Sequence, residues 1–165
     1  MREPASSSEL LPREPMMREL YTQVIMDHYQ RPRNRGVLEN ADLEEHLLNP
    51  LCGDEVTVYA AFEGDRVADV RFSGRGCAIS QASASMMSER LAGKSLKEAE
   101  AEIETFKDQM VGKKEFPELD DLAALKGVVK YPSRIKCAVL AWSAFHEGLS
   151  KGGGRGLEEP STSER

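Results

Sequence analysis

The residues in this chain best suited to chemistry are three cysteines and one aspartate. Cys52 and Asp54 are separated only by Gly53 in the stretch Asn49-Pro-Leu-Cys-Gly-Asp54, and Cys77 and Cys137 are the remaining cysteines of the 165 residues. Three thiolates and a carboxylate make four donors, the number a tetrahedral zinc or a cluster iron takes. Each has a plain alternative. A lone cysteine is commonly a small buried hydrophobe, and an Asp after Gly commonly caps its own turn. There is no Cys-x-x-Cys pair and no zinc-finger spacing, so spacing alone leaves convergence open.

The local settings favour reactive thiols. Cys77 follows Gly74 and Gly76, lies close to Arg75 and precedes a helical pattern. Cys137 falls in the first turns of the last helical pattern, near Arg134 and Lys136. Helix starts and neighbouring cations both favour the thiolate. Cys137 is two residues, about 200° of helix, from both Ile135 and Val139. It is therefore expected to point away from the apolar stripe of Ile135, Val139, Trp142, Phe145 and Leu149. If the four donors converge, Asp54 is the informative one. A carboxylate is a harder and more weakly held partner for zinc than a thiolate, so a Cys₃Asp set opens a position more readily than Cys₄.

The elements that must position these residues read as α+β. Met17–Tyr29 has a helical pattern, ended by Pro32. Residues 45–49 are a weak strand candidate. Glu55–Phe62 alternates with Val56, Val58 and Ala60 on one face. Gly64-Asp65 turns the chain, and Val67–Phe72 returns, giving a β-hairpin over 55–73. A helix of small residues follows over Ala78–Leu91. Ser95-Leu-Lys-Glu98 is a capping box opening a helix to about Val111. Leu119–Leu125 reads as a short helix closed by Gly127, and the last helix begins near Pro132-Ser133. Residues 1–16 are expected to be a disordered extension, 17–150 one domain, and 151–165 a disordered tail. The expected architecture is a small three-stranded antiparallel sheet with helices packed on one face.

Composition narrows the function classes. The net charge of −6 draws the molecule as a whole to neither nucleic acid nor membrane. No apolar run is long enough to span a bilayer, and no secretory signal is evident. An odd number of distant cysteines argues for a reducing compartment, the cytoplasm by default. The other candidates read as ordinary: His28 packed or partner-facing, His46 exposed, His146 near a helix end, Trp142 in the core, and Arg31, Arg33 and Arg35 solvated.

The chain resembles the U-type iron–sulfur cluster assembly proteins, which include IscU, the N-terminal domain of NifU, and SufU. The resemblance rests on Tyr21-Thr-Gln-Val-Ile-Met-Asp-His-Tyr29 with Pro32-Arg-Asn34, Cys52-Gly-Asp54, Gly74-Arg-Gly-Cys-Ala-Ile-Ser80, Gly93-Lys-Ser-Leu96, and Arg134-Ile-Lys-Cys137 with Leu140-Ala-Trp142. These occur in the family's order over about residues 17–150.

The resemblance implies that Cys52, Cys77 and Cys137 meet at one exposed site, with Asp54 beside them, holding Zn²⁺ or a nascent [2Fe–2S] cluster. It also implies sulfur delivery as a persulfide from a pyridoxal-phosphate cysteine desulfurase, and passage to a downstream scaffold or apo-acceptor protein. Scaffolds of the IscU kind carry His immediately before the third cysteine. Here that position is Lys136, whose ammonium has no lone pair for a metal. Lys136 and the long segment from Phe106 to Leu125 resemble the SufU branch. In that branch the cysteine matching Cys52 accepts sulfur. Arg134 is then an auxiliary candidate, stabilising the developing thiolate charge or contacting the partner, with a solvated charge at the helix start as the plain alternative. Three readings follow: a zinc-dependent sulfurtransferase, a [2Fe–2S] scaffold using the same cysteines, and a structural zinc domain.

Overall fold

The computed structural model describes the backbone of residues 5–50, 53–117 and 120–151, and the side chains from residue 18 onward within those ranges. Cys52 lies outside the described residues, as do the expected helix start at Leu119 and the tail beyond Lys151.

Helix α1 (Ala5–Gln30) leads into a sheet of β1 (Leu43–Asn49), β2 (Asp54–Glu63) and β3 (Arg66–Arg75). The strands lie in the order β1-β2-β3 and both pairings are antiparallel. The hairpin forms where alternation and the Gly64 turn place it. A register irregularity between Ala61 and Phe62 is why Val67, as well as Val70 and Phe72, reaches the buried face. That face also carries Leu43, Val56, Val58 and Ala60. Residues 34–36 continue along the outer side of β3, where the Phe72 N–H donates to the Asn34 carbonyl and Gly36 N–H to the Phe72 carbonyl.

Four helical segments follow: α2 (Ala78–Leu91), α3 (Leu96–Met110), the 3₁₀ segment α4 (Asp121–Lys130) and α5 (Pro132–Ser150). Helix α5 packs across β1 and β2, α2 against β3 and α5, and α1 against α2 and α4. Helix α2 is therefore central and buried on nearly every side, and its small residues are what let three neighbours approach. Its buried hydroxyls are all used. Ser83 Oγ donates to the Ala138 carbonyl (2.6 Å) and accepts from Trp142 Nε1 (2.9 Å), fastening α2 to α5. Trp142 in turn stacks on Phe106 with ring centroids 4.1 Å apart. Ser95 and Glu98 form the expected reciprocal capping box at the start of α3.

Three sequence expectations need correction. Helix α1 begins at Ala5, upstream of the Met17 at which the helical pattern of the sequence starts. The short helix expected at Leu119–Leu125 is a 3₁₀ segment that runs through Gly127 to Lys130. On α5 the buried residues include Trp142 and Phe145 of the expected stripe together with Cys137, Ala138, Ala141 and Ala144, while Ile135, Val139 and Leu149 are only partly covered. Cys137 therefore lies on the buried face. The alanines decide this, because a helix pressed between sheet and helix turns its smallest residues toward the closest approach. Gly148 shows how close that approach is: a Cβ there would meet Leu43 Cγ at 2.7 Å.

Candidate metal centre

The site is built where three elements begin or end. Asn49 ends β1 and pairs with Asp54, the first residue of β2. Gly53 between them has φ +74°, a left-handed conformation that glycine adopts without a Cβ penalty, and its N–H closes the turn on the Asn49 carbonyl at 2.8 Å. The turn delivers Asp54 to the sheet end, 2% exposed. At the end of β3, Cys77 is the N-cap of α2 and offers no side-chain cap hydrogen bond of its own. Its N–H instead donates to Asp54 Oδ1 at 3.0 Å, and its Sγ lies 3.8 Å from Asp54 Oδ2. Cys137, fully buried, comes from the second turn of α5.

Donor atoms of Asp54, Cys77 and Cys137 all lie within 4.8 Å of one another. The fold thus unites three of the four residues singled out by the sequence. The fourth, Cys52, is outside the described residues. Arg134 Nη1 lies 3.9 Å from Cys137 Sγ, which also faces the Ser133 carbonyl at 3.8 Å.

Two residues that help shape this centre carried no role in the reading of the motifs. Buried Asn49 directs Nδ2 at Cys137 Sγ at 4.0 Å; the Asn-Pro step ahead of the cysteine loop was the available signal. Gly76 leaves the space Asp54 occupies: a Cβ there would come within 2.5 Å of Ser80 Oγ and 2.6 Å of Asp54 Oδ1.

The donor set fits zinc on chemical grounds. A buried ionised carboxylate needs compensation. Asp54 has one backbone amide and one thiol as hydrogen-bond partners, and no lysine or arginine pairs with it among the described residues. Two sulfurs and a carboxylate oxygen facing one another are donors suited to a borderline-soft divalent cation, which would also offset the negative charge of the carboxylate.

The nearby charged groups play other parts. Glu55, beside Asp54, accepts from His46 at 3.1 Å and pairs with Arg75 at 3.0 Å. Its carboxyl is held below the usual range mainly by the His46 hydrogen bond, with help from Arg75. Arg35 is not merely solvated: it donates to Gln81 Oε1 (2.6 Å) and the Gly74 carbonyl (2.7 Å), and it lies over the Phe72 ring. Arg31 and Arg33 both pair with Asp27. His28, 1% exposed, holds Ser85 Oγ at Nδ1 (2.8 Å) and Asp121 Oδ2 at Nε2 (2.9 Å).

A three-stranded antiparallel sheet covered by helices, with an aspartate and two cysteines gathered at its end, is the architecture of a small metal- or cluster-handling domain. The chain belongs to the NifU-like N-terminal domain family, which it matches over residues 20–151. It is 47% identical over 134 residues to the zinc-dependent sulfurtransferase SufU of Bacillus subtilis, covering 80% of this chain and 90% of that protein. It is 41% identical over 135 residues to the iron–sulfur cluster assembly scaffold protein IscU of Streptococcus pyogenes, covering 80% of this chain and 84% of that one. Among solved structures, a candidate iron–sulfur cluster assembly scaffold protein for the SUF system from Fervidobacterium islandicum superposes with a TM-score of 0.71 at 40% identity, over 76% of this chain and 93% of that one. No helix among the described residues is long and apolar enough to cross a membrane.

Proposed function

We propose that this chain serves iron–sulfur cluster biogenesis in the cytoplasm as a zinc-dependent sulfur acceptor, taking persulfide sulfur from a cysteine desulfurase through Cys52. The observation that carries the reading is the meeting of Asp54, Cys77 and Cys137 within 4.8 Å around a buried carboxylate with which no cationic side chain pairs among the described residues. Likeness to a zinc-dependent sulfurtransferase at 47% identity supports it, as does Lys136 where a cluster scaffold of the IscU kind carries histidine.

Asp54, Cys77 and Cys137 would hold the metal, with Cys52 as fourth ligand. When bound, zinc keeps the coordinated sulfurs ionised at neutral pH. Cys52 is the nucleophile. Its thiolate attacks the outer sulfur of the donor's persulfide, a new S–S bond forms on Cys52, and the donor's S–S bond breaks. The donor cysteine leaves as a thiolate, so no external oxidant or reductant is needed. Arg134, 3.9 Å from Cys137 Sγ, supplies positive charge where anionic sulfur collects. Asn49 and the Cys77 amide orient Cys137 and Asp54, and Gly76 keeps the carboxylate's place clear.

The test is desulfurase turnover with the zinc-loaded protein. Cys52→Ala should abolish stimulation and persulfide formation on this chain, read by mass spectrometry; undiminished stimulation overturns the assignment. The 41% identity to an assembly scaffold favours a second reading, in which the same cysteines carry a [2Fe–2S] cluster as cargo. Anaerobic reconstitution giving a stable visible spectrum, with transfer to an apo-protein, would establish that reading.

A further inference from the structure

Asn49 is a polar side chain held where water does not reach. It is 5% exposed, and an amide buried there costs free energy unless it is hydrogen-bonded. It ends β1 where the ladder must stop, since the next residue, Pro50, offers no N–H. From that position it makes three ties. Its backbone pairs with Asp54, the first residue of β2. Its carbonyl accepts the Gly53 N–H at 2.8 Å. Its Nδ2 is directed at Cys137 Sγ, 4.0 Å away and 88 residues further along the chain. The first two ties close the base of the stretch Pro50-Leu-Cys-Gly53, which carries Cys52. The third fastens that base to α5. On the other side of Asp54, the Cys77 N–H donates to Oδ1 at 3.0 Å. One line of contacts made by the protein itself therefore runs from Cys77 through Asp54 and Asn49 to Cys137.

We propose that Asn49 is the positioning residue that keeps Asp54 and Cys137 in place when Cys52 leaves the donor set, and so leaves Cys52 as the thiolate free to take sulfur. The proposal rests on the sulfur-acceptor reading above. It adds to that reading why one donor of four can depart without the other three dispersing. While Cys52 is a donor, its loop contributes two ligands, and the Asn49 amide is a third link to Cys137. With Cys52 withdrawn, the loop keeps only Asp54 as a ligand, and the amide becomes half of what holds the loop to α5. The amide also bears on the sulfur directly. An N–H aimed at a thiolate stabilises its charge and blunts its attack. Arg134 Nη1, 3.9 Å from the same sulfur, acts in the same sense. Cys137, fully buried and faced by donors from two elements, is the sulfur held back. A leucine would fill much the same volume as Asn49, so what the asparagine contributes is its N–H.

The experiment is a double-mutant cycle on zinc affinity in the full-length chain, read by competition with a chromogenic chelator. Asn49→Leu keeps the volume and removes the amide, and Asn49→Ser keeps a turn-forming polar group too short to reach the sulfur. With Cys52 present, either should lower zinc affinity about tenfold, the low end of what loss of an outer partner costs. In a Cys52→Ala background either should cost about tenfold more than that, so the two positions are coupled rather than additive. In the Co²⁺-loaded protein each should shift the sulfur-to-metal charge-transfer band to longer wavelength, since a thiolate that loses an N–H donor gives up its electrons more readily. A residue that merely shaped the turn would leave the band unmoved. Circular dichroism and urea denaturation report folding, and the serine variant carries the test if the leucine one does not fold. Equal costs in the two backgrounds, or affinity and band unchanged, overturn the proposal. None of these measurements uses the sulfur donor, so the two readings fail separately. Desulfurase stimulation undiminished in Cys52→Ala, with the coupling present, sinks the acceptor reading and keeps Asn49 as the brace of the three donors. Additive costs with sulfur still arriving on Cys52 do the reverse.

Discussion

Asp54, Cys77 and Cys137 bring donor atoms within 4.8 Å of one another, and so do His28, Glu89 and Asp121. By proximity the two groups are equivalent. They part on what already satisfies each member. In the second group both His28 nitrogens are hydrogen-bonded, Nδ1 to Ser85 and Nε2 to Asp121, and Glu89 has Arg33 Nε at 3.9 Å. Ser85 Oγ also accepts the Arg33 N–H at 2.9 Å, so its single hydroxyl proton is free for His28. The group closes on itself and ties α1 to α2 and to the Asp121–Lys130 segment. In the first group a carboxylate 2% exposed has no cationic side chain paired with it among the described residues. Nearness of ligand types is thus a weak criterion, and the accounting of charge and hydrogen bonds is the stronger one.

Removing a donor from each group separates them most widely. Asp54→Ala or Cys137→Ala should lower zinc affinity by more than the roughly 100-fold that loss of an outer partner costs, read by competition with a chromogenic chelator. His28→Ala should leave zinc affinity and stoichiometry unchanged. Stripping the metal from the native protein should lower Tm yet leave far-UV circular dichroism intact, because the core around Phe72, Trp142 and Phe145 does not depend on the site. Unfolding on chelation would make the metal structural instead.

Gly76→Ala probes the first group without touching a donor. A Cβ 2.6 Å from Asp54 Oδ1 displaces the carboxylate, and affinity should fall about 10- to 100-fold while thermal stability changes far less. His28→Ala should do the opposite. It leaves Ser85 and Asp121 without their shared partner at a cost of about 1–3 kcal/mol, seen in urea denaturation.

The smallest effect concerns acid. Arg33 and, after it, Arg31 hold the Asp27 carboxyl below its ordinary value of 3.8. The folded value is depressed, so the stabilisation is complete above the ordinary value and is lost as pH falls through the folded one. Urea midpoints should therefore decline below about pH 4, and Asp27→Asn should flatten that part of the profile while leaving zinc binding alone.

What the sequence disclosed follows the range of the interactions involved. The hairpin, the Ser95–Glu98 box, the small-residue helix Ala78–Leu91 and the start of the last helix at Pro132 are set by neighbours a few residues apart, and the structure has them where local chemistry put them. The buried side of the last helix was only partly legible: Trp142 and Phe145 are buried as expected, but Cys137 and the alanines join them while Ile135, Val139 and Leu149 are only partly covered, a fact about partners distant in the chain. The His28 network escaped for the same reason, joining residues from three elements. For the metal centre, residue types and helix-start positions marked the cysteines and Asp54. Spacing could not show that they meet; only the resemblance implied it, and the fold unites Asp54, Cys77 and Cys137.

The two hydrogen bonds of Ser83 have a mechanical consequence for the thiols. Ser83 lies six residues beyond Cys77, about 9 Å along the helix at 1.5 Å per residue, and the carbonyl it grips belongs to Ala138, the residue after Cys137. A helix is stiff over so short a length, so a slip at that hydroxyl is transmitted to the gap between the sulfurs nearly undiminished. One hydroxyl sunk in the apolar interior acts as the gauge of the metal site. The tolerance of the coordination geometry is set by that distant fastening as well as by the ligands, and an interior Ser→Ala change could retune the site with every donor in place.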